Sequence, residues 1–236
     1  MTTRHIIAFG GAGLGATEGR RPLLSHVLDL TGRDEPRICY VGTAMGDLPL
    51  PPMQFYDISR EVRCRPSHLA LFPMPNVADV RDFLLSQDVV YVGGGSVANL
   101  LAVWRVHGLD AILREAWEAG VVLCGTSAGS LCWFEGGTTD SFGPTLQLVT
   151  GGLGLIPASN TPHYDSEPER RPLYQSLVAS GALSAGWAAD DHVGLHFVDD
   201  AFHEAVAARP EGRAWRVERN AAGDGAVESE IVPRLL

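Results

Sequence analysis

The 236-residue sequence contains no lysine, so all 18 of its basic residues are arginine. Three catalytic devices depend on a lysine amine: the phosphate-binding lysine of P-loop proteins, the Schiff base formed with a carbonyl group, and the serine–lysine dyad. The composition therefore excludes all three for this chain.

Long apolar runs are also missing. The N-terminal segment carries only the short run 5–9, which is too brief for the apolar region of a secretory signal. No later stretch approaches the roughly 20 consecutive apolar residues of a membrane-spanning helix. We therefore predict no membrane partner and expect a cytoplasmic protein.

Clusters of basic residues are scarce as well. The formal net charge is −10, and arginines are adjacent only at Arg20-Arg21 and Arg170-Arg171. Nucleic-acid binding needs concentrated positive charge to neutralise phosphates, so the sequence argues against such a partner. A small peptide is the partner that we expect, bound by a monomer or a homodimer.

The cysteines show no pairing pattern. Cys39, Cys64, Cys124 and Cys132 lie in or beside apolar segments, and no Cys-x-x-Cys motif is present. This arrangement favours reduced, buried thiols over disulfides or a zinc site. We predict no metal and no organic cofactor, and reduced thiols fit the cytoplasm.

The sequence does contain the alternation of short β-branched runs and amphipathic stretches that is typical of an α/β fold. It predicts a three-layer sandwich with a mostly parallel central sheet and helices on both faces, in one domain spanning residues 1–236. Beyond residue 136, glycine-broken strands suggest antiparallel additions to the main sheet. The predicted strands are 5–9, 37–41, 68–72 (weaker), 89–92, 121–124, 145–150, 187–189, 193–198, 214–219 and 227–232, and the helices are 22–30, 52–60, 77–86, 97–107, 109–119 and 167–180.

The strongest local signal is Gly125-Thr126-Ser127-Ala128-Gly129, a Gly-x-Ser-x-Gly motif directly after a predicted buried strand. In a strand-to-helix elbow, the serine occupies a strained turn with its hydroxyl at the carboxyl edge of the sheet. The motif therefore predicts a nucleophile at Ser127. An ordinary glycine-rich turn is the alternative.

Two further glycine turns follow predicted strands. The amides of Gly93-Gly94-Gly95 are unobstructed by side chains and could meet a developing oxyanion, although a phosphate cradle or a plain turn is also compatible. Gly10-Gly11-Ala12-Gly13 resembles a dinucleotide fingerprint, but the acidic residue that this motif needs would be Asp29, inside a predicted helix. We predict a turn near the site, with a lining role as the alternative.

A nucleophilic serine needs a base, and eight histidines are present. Structural roles are expected for His26, His68, His107 and His196, which lie on predicted helices and strands. His163 lies instead in a polar loop after Pro162, and catalytic side chains concentrate on such loops. It is the base that the local sequence favours.

The motifs Gly93-Gly94-Gly95-Ser96, Gly125-Thr126-Ser127-Ala128-Gly129 and Pro162-His163-Tyr164 occur in this order. Together they resemble the peptidase E and cyanophycinase family of serine peptidases, over most of the chain. The resemblance implies a class I glutamine amidotransferase-like fold with a nucleophile elbow. It also implies exopeptidase activity on dipeptides with N-terminal aspartate or on β-linked aspartyl-arginine units.

Carried onto this sequence, the resemblance makes Ser127 the nucleophile and His163 the general base and acid. The amides of Gly94 and Ala128 become the oxyanion hole, and the neighbouring Gly95 and Ser96 are predicted to contact substrate. Water would hydrolyse the acyl-enzyme.

The third triad member is less directly implied. Family members place it shortly after the nucleophile, here Asp140, or on a turn after the histidine, here Asp190-Asp191, where the family residue is glutamate. Because the carboxylate must be held by strand-end backbone near the histidine, we predict Asp190. Asp140 is the second choice, followed by Asp191 or Glu167.

Arg170 and Arg171 follow His163 closely in the sequence. An arginine fork matches a carboxylate bidentately, so one of them is predicted to bind a substrate carboxylate. The alternative is a solvated helix face on which both pair with neighbouring glutamates.

Two other functions are compatible with the sequence. An α/β-hydrolase esterase would share the elbow and would place Asp140 between serine and histidine in chain order. A catalytically silent amidotransferase-like binding protein is the non-enzymatic alternative, suggested by the missing glutamate.

Overall fold

The computed structural model describes residues 3–11 and 20–236. Ala12 and Gly13 of the first glycine turn lie outside the described residues. Among the described helices, none is both long and apolar enough to cross a membrane.

Helices and strands alternate over the first part of the described chain, and strands dominate the rest. The helices are α1 (Arg20–Asp29), α2 (Leu50–Ser59), α3 (Val80–Leu85), α4 (Val97–His107), α5 (Leu109–Glu118), α6 (Ala128–Leu131) and α7 (Arg170–Ala179), with a 3-10 turn at Thr43–Met45. The strands are β1 (His5–Phe9), β2 (Arg37–Val41), β3 (Arg65–Leu69), β4 (Val89–Val92), β5 (Val122–Thr126), β6 (Phe134–Thr139), β7 (Gln147–Thr150), β8 (Ile156–Thr161), β9 (Gly186–Ala189), β10 (Val193–Val198), β11 (Ala201–Ala207), β12 (Ala214–Arg219), β13 (Ala226–Ile231) and β14 (Arg234–Leu235).

The main sheet has the strand order β14-β11-β10-β1-β5-β4-β2-β3. Its five strands from β1 to β3 in this order are parallel, and β10 joins β1 antiparallel. Every residue of β4 and β5 is buried, which explains their continuous apolar or small-residue character. The parallel strands end together at one edge, where loops can converge on a site.

Helices pack on both faces of this sheet. Alternate residues of β1 point to opposite sides, so Ile6 joins one core cluster and Ile7 the other. The first cluster includes Trp104 of α4, and the second includes Phe55 of α2. The predicted α/β class with a mostly parallel central sheet is confirmed.

A second sheet departs from the prediction. The late strands were expected as antiparallel additions to the main sheet, and this is confirmed for β10, which pairs with β1. The other predicted late strands belong to a six-stranded sheet of their own, in the order β13-β12-β9-β8-β6-β7. Two of its strands, β6 and β8, were not predicted. The residues Gly136-Gly137 read as strand breakers, yet they permit close strand contact: a Cβ on Gly137 would lie 1.8 Å from the Asn160 carbonyl oxygen.

Several predicted boundaries shift by a few residues. Strand β5 continues to Thr126, the residue before the nucleophile candidate, and β3 begins at Arg65 instead of His68. Helix α7 begins at Arg170, because the preceding segment forms a turn in which the Glu167 amide donates to the His163 carbonyl.

Candidate active site

Ser127 lies in a strained turn between β5 and α6. Its φ is 54° and its ψ is −114°, a left-handed φ that costs free energy in any residue with a side chain. The amide of Ser127 donates to the Phe9 carbonyl at the end of β1, 3.2 Å away. The predicted strand, elbow and helix are therefore present, and the hydroxyl is held at the carboxyl edge of the sheet.

The elbow can form only because its flanking residues are glycines. A Cβ on Gly129 would lie 2.1 Å from the Val92 carbonyl oxygen, and one on Gly125 would lie 2.3 Å from the Gly129 carbonyl oxygen. Both distances are far shorter than any real contact. The two glycines let β4, β5 and α6 approach closely enough to fix the serine.

His163 follows β8, in the second sheet, and reaches the serine across the junction of the two sheets. Its Nε2 lies 2.9 Å from Ser127 Oγ. The His163 backbone also has a left-handed φ of 54°, and its amide donates to the Gly10 carbonyl, 3.1 Å away. The first glycine turn thus anchors the histidine, in agreement with its predicted place near the site.

Asp191 is the carboxylate that contacts His163. Its Oδ1 lies 2.8 Å from His163 Nδ1. Because an ionised carboxylate only accepts, Nδ1 carries the proton and donates, which leaves Nε2 as the acceptor for the serine hydroxyl. The order of contacts is that of a serine–histidine–aspartate array.

The backbone around Asp191 is fixed on two sides. Its amide donates to Asp165 Oδ1 at 2.9 Å, and the other Asp165 oxygen accepts from Arg209. Gly11 forms a β-bridge to Asp191, and a Cβ on Gly11 would lie 1.8 Å from Asp191 Oδ1. Only glycine therefore fits beside the histidine–aspartate pair.

The prediction of Asp190 as the third member is corrected by this geometry. Asp190 is only 4% exposed, and its Oδ2 accepts from the Arg213 amide at 3.0 Å, while Oδ1 has no partner among the described residues. Consecutive side chains at a strand end point in opposite directions, so one of two adjacent aspartates turns away from the histidine. Asp140 follows β6 and lines a different cavity, beside Glu167.

The two adjacent aspartates have opposite pKa shifts. Burial opposes ionisation of Asp191, but the hydrogen bond and charge of His163, with a hydrogen bond from Ser166, outweigh it and lower the pKa. Burial and the charge of Asp165 raise the pKa of Asp190 to about 7. Asp191 is therefore the carboxylate that stays ionised to stabilise an imidazolium.

Two backbone amides flank the serine hydroxyl. A Cβ on Gly94 would lie 3.8 Å from Ser127 Oγ, so this glycine borders the nucleophile directly. Ala128 is the first residue of α6, where helix amides lack intrahelical partners. In the described part of the chain, neither amide has a hydrogen-bond acceptor. Both are available to a substrate oxygen.

A cleft of about 350 Å³ opens beside Ser127 and His163. Three of its side chains are large, apolar and substantially exposed: Met45 at 45%, Leu48 at 52% and Leu50 at 61%. The described lining contains no carboxylate and no arginine side chain. The described lining consists of Tyr40, Met45, Leu48, Leu50, Pro51, Gln54, Gly93, Gly94, Thr126, Ser127 and His163.

Tyr40 adds a polar group to this apolar cleft. A Cβ on Gly93 would lie 2.2 Å from the Tyr40 hydroxyl, which places the hydroxyl over the glycine turn. Burial, helped by the charge of Asp47, raises the pKa of Tyr40 to about 12, so the hydroxyl stays a hydrogen-bond donor at neutral pH. No sequence motif marks Tyr40, which lies inside a predicted core strand.

The predicted carboxylate-binding arginines are placed elsewhere. Arg170 is 2% exposed, and it donates to Glu167 Oε2 at 2.7 Å and to the Thr138 carbonyl at 2.7 Å. Arg171 is paired with Glu228 at 2.9 Å. Neither lines the cleft, so both predicted substrate contacts are corrected to structural roles.

The two predicted substrate contacts after Gly94, Gly95 and Ser96, have different surroundings. Ser96 caps helix α4 by accepting from the Asn99 amide at 3.2 Å, and its own amide donates to the Ala44 carbonyl at 2.9 Å. Its predicted contact with substrate is therefore corrected. Gly95 is exposed beside Gly94, with a φ of 132°, and remains at the edge of the site.

The sequence is similar to those of known peptidases. A model of peptidase family S51 matches residues 6–205. The chain is 44% identical over 214 residues to an uncharacterized peptidase, YgaJ, of Bacillus subtilis, covering 91% of this chain and 92% of that protein. It is 30% identical over 157 residues to a Peptidase E of Shewanella amazonensis, covering 62% and 63% of the two chains.

A solved structure shares the fold. The crystal structure of a peptidase from an acI-B1 Actinobacterium superposes with a TM-score of 0.69 at 13% identity, covering 98% of this chain and 94% of that one. At this identity the likeness bears on the fold alone.

Proposed function

Since the chain belongs to peptidase family S51 and is a serine-type peptidase, we propose that Ser127, His163 and Asp191 are its catalytic triad and that it hydrolyses small peptides. The observation that carries the proposal is the continuous pair of contacts, 2.9 Å from Ser127 Oγ to His163 Nε2 and 2.8 Å from His163 Nδ1 to Asp191 Oδ1.

Acylation begins when His163 Nε2 accepts the Ser127 proton and Oγ attacks the scissile carbonyl carbon. Asp191 holds the imidazole in the tautomer that leaves Nε2 free, and it stabilises the imidazolium that forms. His163 then gives the proton to the leaving amine. The products of this half are a released amine and an ester on Ser127.

Deacylation repeats the sequence with water. His163 accepts a proton from the water, the resulting hydroxide attacks the ester, and the proton returns to Ser127 Oγ. In both halves the amides of Gly94 and Ala128 donate to the oxyanion of the tetrahedral intermediate. Donors of this kind are typically worth about 10²- to 10³-fold in rate each.

The cleft favours an apolar side chain in the substrate. Its described lining presents thioether, leucine and proline surface, and it contains no arginine that would bind an aspartyl side chain. Its volume of about 350 Å³ lies at the small end of ligand pockets. We therefore propose short peptides with an apolar residue at the cleft as substrates, instead of the N-terminal aspartate that the family resemblance suggested. Gly95, exposed beside Gly94, is proposed as a backbone contact to the same substrate.

The test is hydrolysis of a matched dipeptide panel, Leu-Leu, Phe-Leu, Asp-Leu and Arg-Leu, with the corresponding p-nitroanilides. Wild type should cleave the Leu and Phe members with the highest kcat/KM, and Ser127→Ala should lose cleavage of every member. Activity that survives in folded Ser127→Ala would contradict the nucleophile assignment. A preference for Asp-Leu would contradict the apolar cleft while leaving the triad intact.

A variant of the cleft tests the substrate preference separately from the triad assignment. Leu48 is 52% exposed and lines the cleft, so Leu48→Arg adds a cation without removing a core side chain. It should raise kcat/KM for Asp-Leu relative to Leu-Leu. The matched variant Leu48→Gln, of similar length but uncharged, should not.

The chain order of the triad bears on the esterase alternative. Asp191 follows His163, whereas an α/β-hydrolase places its acid between the serine and the histidine.

A silent binding protein would fail to react with a fluorophosphonate probe. We expect wild type, but not Ser127→Ala, to be labelled.

A further inference from the structure

A histidine cluster lies at the far end of β1 from the nucleophile. It consists of His5 on β1, His26 on α1, His196 on β10, and His203 and Glu204 on β11. The first and last residues of β1 are four positions apart, or about 13 Å along an extended strand. The cluster is therefore separate from the proposed active site, and the proposed mechanism uses none of its members.

Three members of the cluster bring potential metal-ligand atoms close together. His26, His196 and Glu204 each offer one such atom, and the three atoms lie within 4.8 Å of one another. The distance from His196 Nδ1 to Glu204 Oε1 is 3.9 Å. Ligand atoms around tetrahedral Zn²⁺ are about 3.4 Å apart, because its bonds measure 2.0–2.1 Å. Side-chain movements of about 1 Å would therefore complete the site.

Two ring nitrogens of the cluster have no hydrogen-bond partner. His26 Nε2 and His196 Nδ1 are both buried and unpaired among the described residues. His196 is only 2% exposed, so bulk water does not satisfy it. Buried polar atoms in folded proteins are nearly always paired, and two exceptions in one cluster require an explanation. A bound cation supplies one.

The other ring nitrogen of His196 contacts a second histidine of the cluster. Nε2 of His196 lies 3.0 Å from His5 Nδ1. If His196 donates its Nε2 proton to His5, its Nδ1 carries the lone pair that a metal needs. Metal-binding histidines commonly donate their other ring N–H in this way, which orients the ring.

A β-bulge brings two residues of β11 to His196. The pairing register shifts between His196 and Phe197, which face Glu204 and Phe202, so His203 is the extra residue. Bulges re-aim side chains that a regular strand would send to opposite faces. The His203 ring lies 5.2 Å from the His196 ring, centroid to centroid. His203 therefore borders the three converging side chains, and its ring would have to move toward them to act as a fourth ligand.

We propose that His26, His196 and Glu204 form a Zn²⁺ site that joins α1 to β10 and β11, with His203 or water as the fourth ligand. Two imidazoles and a carboxylate suit Zn²⁺, whereas Mg²⁺ and Ca²⁺ prefer oxygen ligands alone. The role is structural, because the three ligands come from three elements that the metal would hold together.

Arg234 is the competitor for this site. Its Nη2 and Nε donate to the two Glu204 oxygens at 2.8 and 2.9 Å. The Arg234 side chain is 53% exposed and can turn into solvent. Removing this cation with Arg234→Gln should therefore tighten Zn²⁺ binding.

The experiment is a Zn²⁺ titration of the full chain, stripped with a chelator and dialysed, in competition with a chromogenic chelator. Wild type should bind one equivalent, with a rise in Tm. His26→Gln and Glu204→Gln should each weaken binding by about tenfold or more. Two controls should bind as wild type does: His163→Gln, which breaks the histidine–aspartate pair of the proposed triad, and His107→Gln, an exposed histidine at the end of α4.

A second measurement does not depend on any variant. Co²⁺ added to the stripped wild type should give the intense visible absorption of a tetrahedral site with nitrogen and oxygen ligands, and Zn²⁺ should displace it. The proposal is overturned if wild type binds no Zn²⁺ at micromolar concentration, if folded His26→Gln and Glu204→Gln bind unchanged, or if His163→Gln abolishes binding.

Discussion

Two adjacent carboxyl groups differ sharply in environment, and this difference decides which of them serves the proposed triad. Asp191 accepts from His163, and its pKa is lowered. Asp190 is buried, one of its oxygens has no partner in the described part of the chain, and its pKa is raised to about 7. A carboxylate that orients an imidazole must remain ionised, so the neighbours are not interchangeable.

Isosteric substitution at each position tests this assignment. Asp191→Asn removes the charge and lets the amide NH₂ group face Nδ1 as a donor, which favours the wrong tautomer of the imidazole. The kcat should therefore fall by roughly 10⁴-fold. Asp190→Asn keeps the oxygen that accepts from Arg213 and should reduce kcat by less than about tenfold. Steady-state kinetics at pH 8 on the preferred dipeptide compare them. The reverse ranking would restore Asp190 as the triad member.

The raised pKa of Asp190 also predicts a pH dependence of stability. The folded protein holds this proton up to about pH 7, whereas the carboxyl in the unfolded chain loses it near 3.8. The folded state binds more protons in this window, so the stabilising contribution is complete below about pH 4 and is lost as pH rises through 7. The loss is about 2–4 kcal/mol, from roughly three pKa units.

Urea unfolding of wild type and Asp190→Asn between pH 4 and 8 measures this effect. The side chain at position 190 of the variant carries no charge at any pH. The free energy of unfolding of the variant should therefore increase relative to that of wild type as pH rises. A constant difference across the range would show that Asp190 is ionised throughout. Leu48→Gln, which removes no ionisable group, is the control, and its difference from wild type should not follow this course.

At the scale of elements, the proposed site is assembled from strand ends. Ser127 follows β5, His163 follows β8 and Asp191 follows β9. Strand β1 links the two sheets at this point, because the carbonyls of Phe9 and Gly10 accept from the amides of Ser127 and His163. The serine and its base therefore share one backbone anchor although they belong to different sheets.

Helix α4 supplies a test of the corrected role of Ser96. The side chain caps the helix through the Asn99 amide, so Ser96→Ala should lower the free energy of unfolding by about 1 kcal/mol. The kcat/KM should change little, because the hydroxyl is directed to the helix and not to the cleft. Denaturant unfolding and dipeptide kinetics measure both. A large rise in KM with unchanged stability would indicate a substrate contact after all.

At the scale of the whole molecule, the net charge of −10 surrounds a cleft whose described lining lacks acidic and arginine side chains. The long-range field should favour cationic over anionic peptides. For two substrates that share the cleaved residue and differ in a neighbouring Arg or Glu, KM at low salt should differ by about two- to fivefold.

Salt should remove this difference. The Debye length falls from about 30 Å at 0.01 M to about 8 Å at 0.15 M ionic strength, so KM should rise with salt for the Arg substrate and fall for the Glu substrate. Equal salt dependence of the two would mean that local contacts, and not the overall charge, govern selection.

Features that depend on local residue pattern could be predicted before the fold was known. Buried strands such as β4 read as continuous apolar runs, and the predicted bounds of β1, β2, β4 and α4 are confirmed. The glycines of the elbow identified Ser127 as the nucleophile candidate, because only glycine permits backbone to approach as closely as Gly129 approaches Val92. Such signals need no knowledge of distant residues.

Contacts between segments far apart in the chain could not be predicted in this way and are seen only in the folded protein. The choice of Asp191 over Asp190 depends on which side chain at one strand end faces a histidine 28 residues away. The burial of Arg170 against β6, the apolar cleft around Tyr40 and the separate second sheet arise in the same way. A side chain's direction and partners are set by how strands and helices dock, and local residue pattern carries little information about docking.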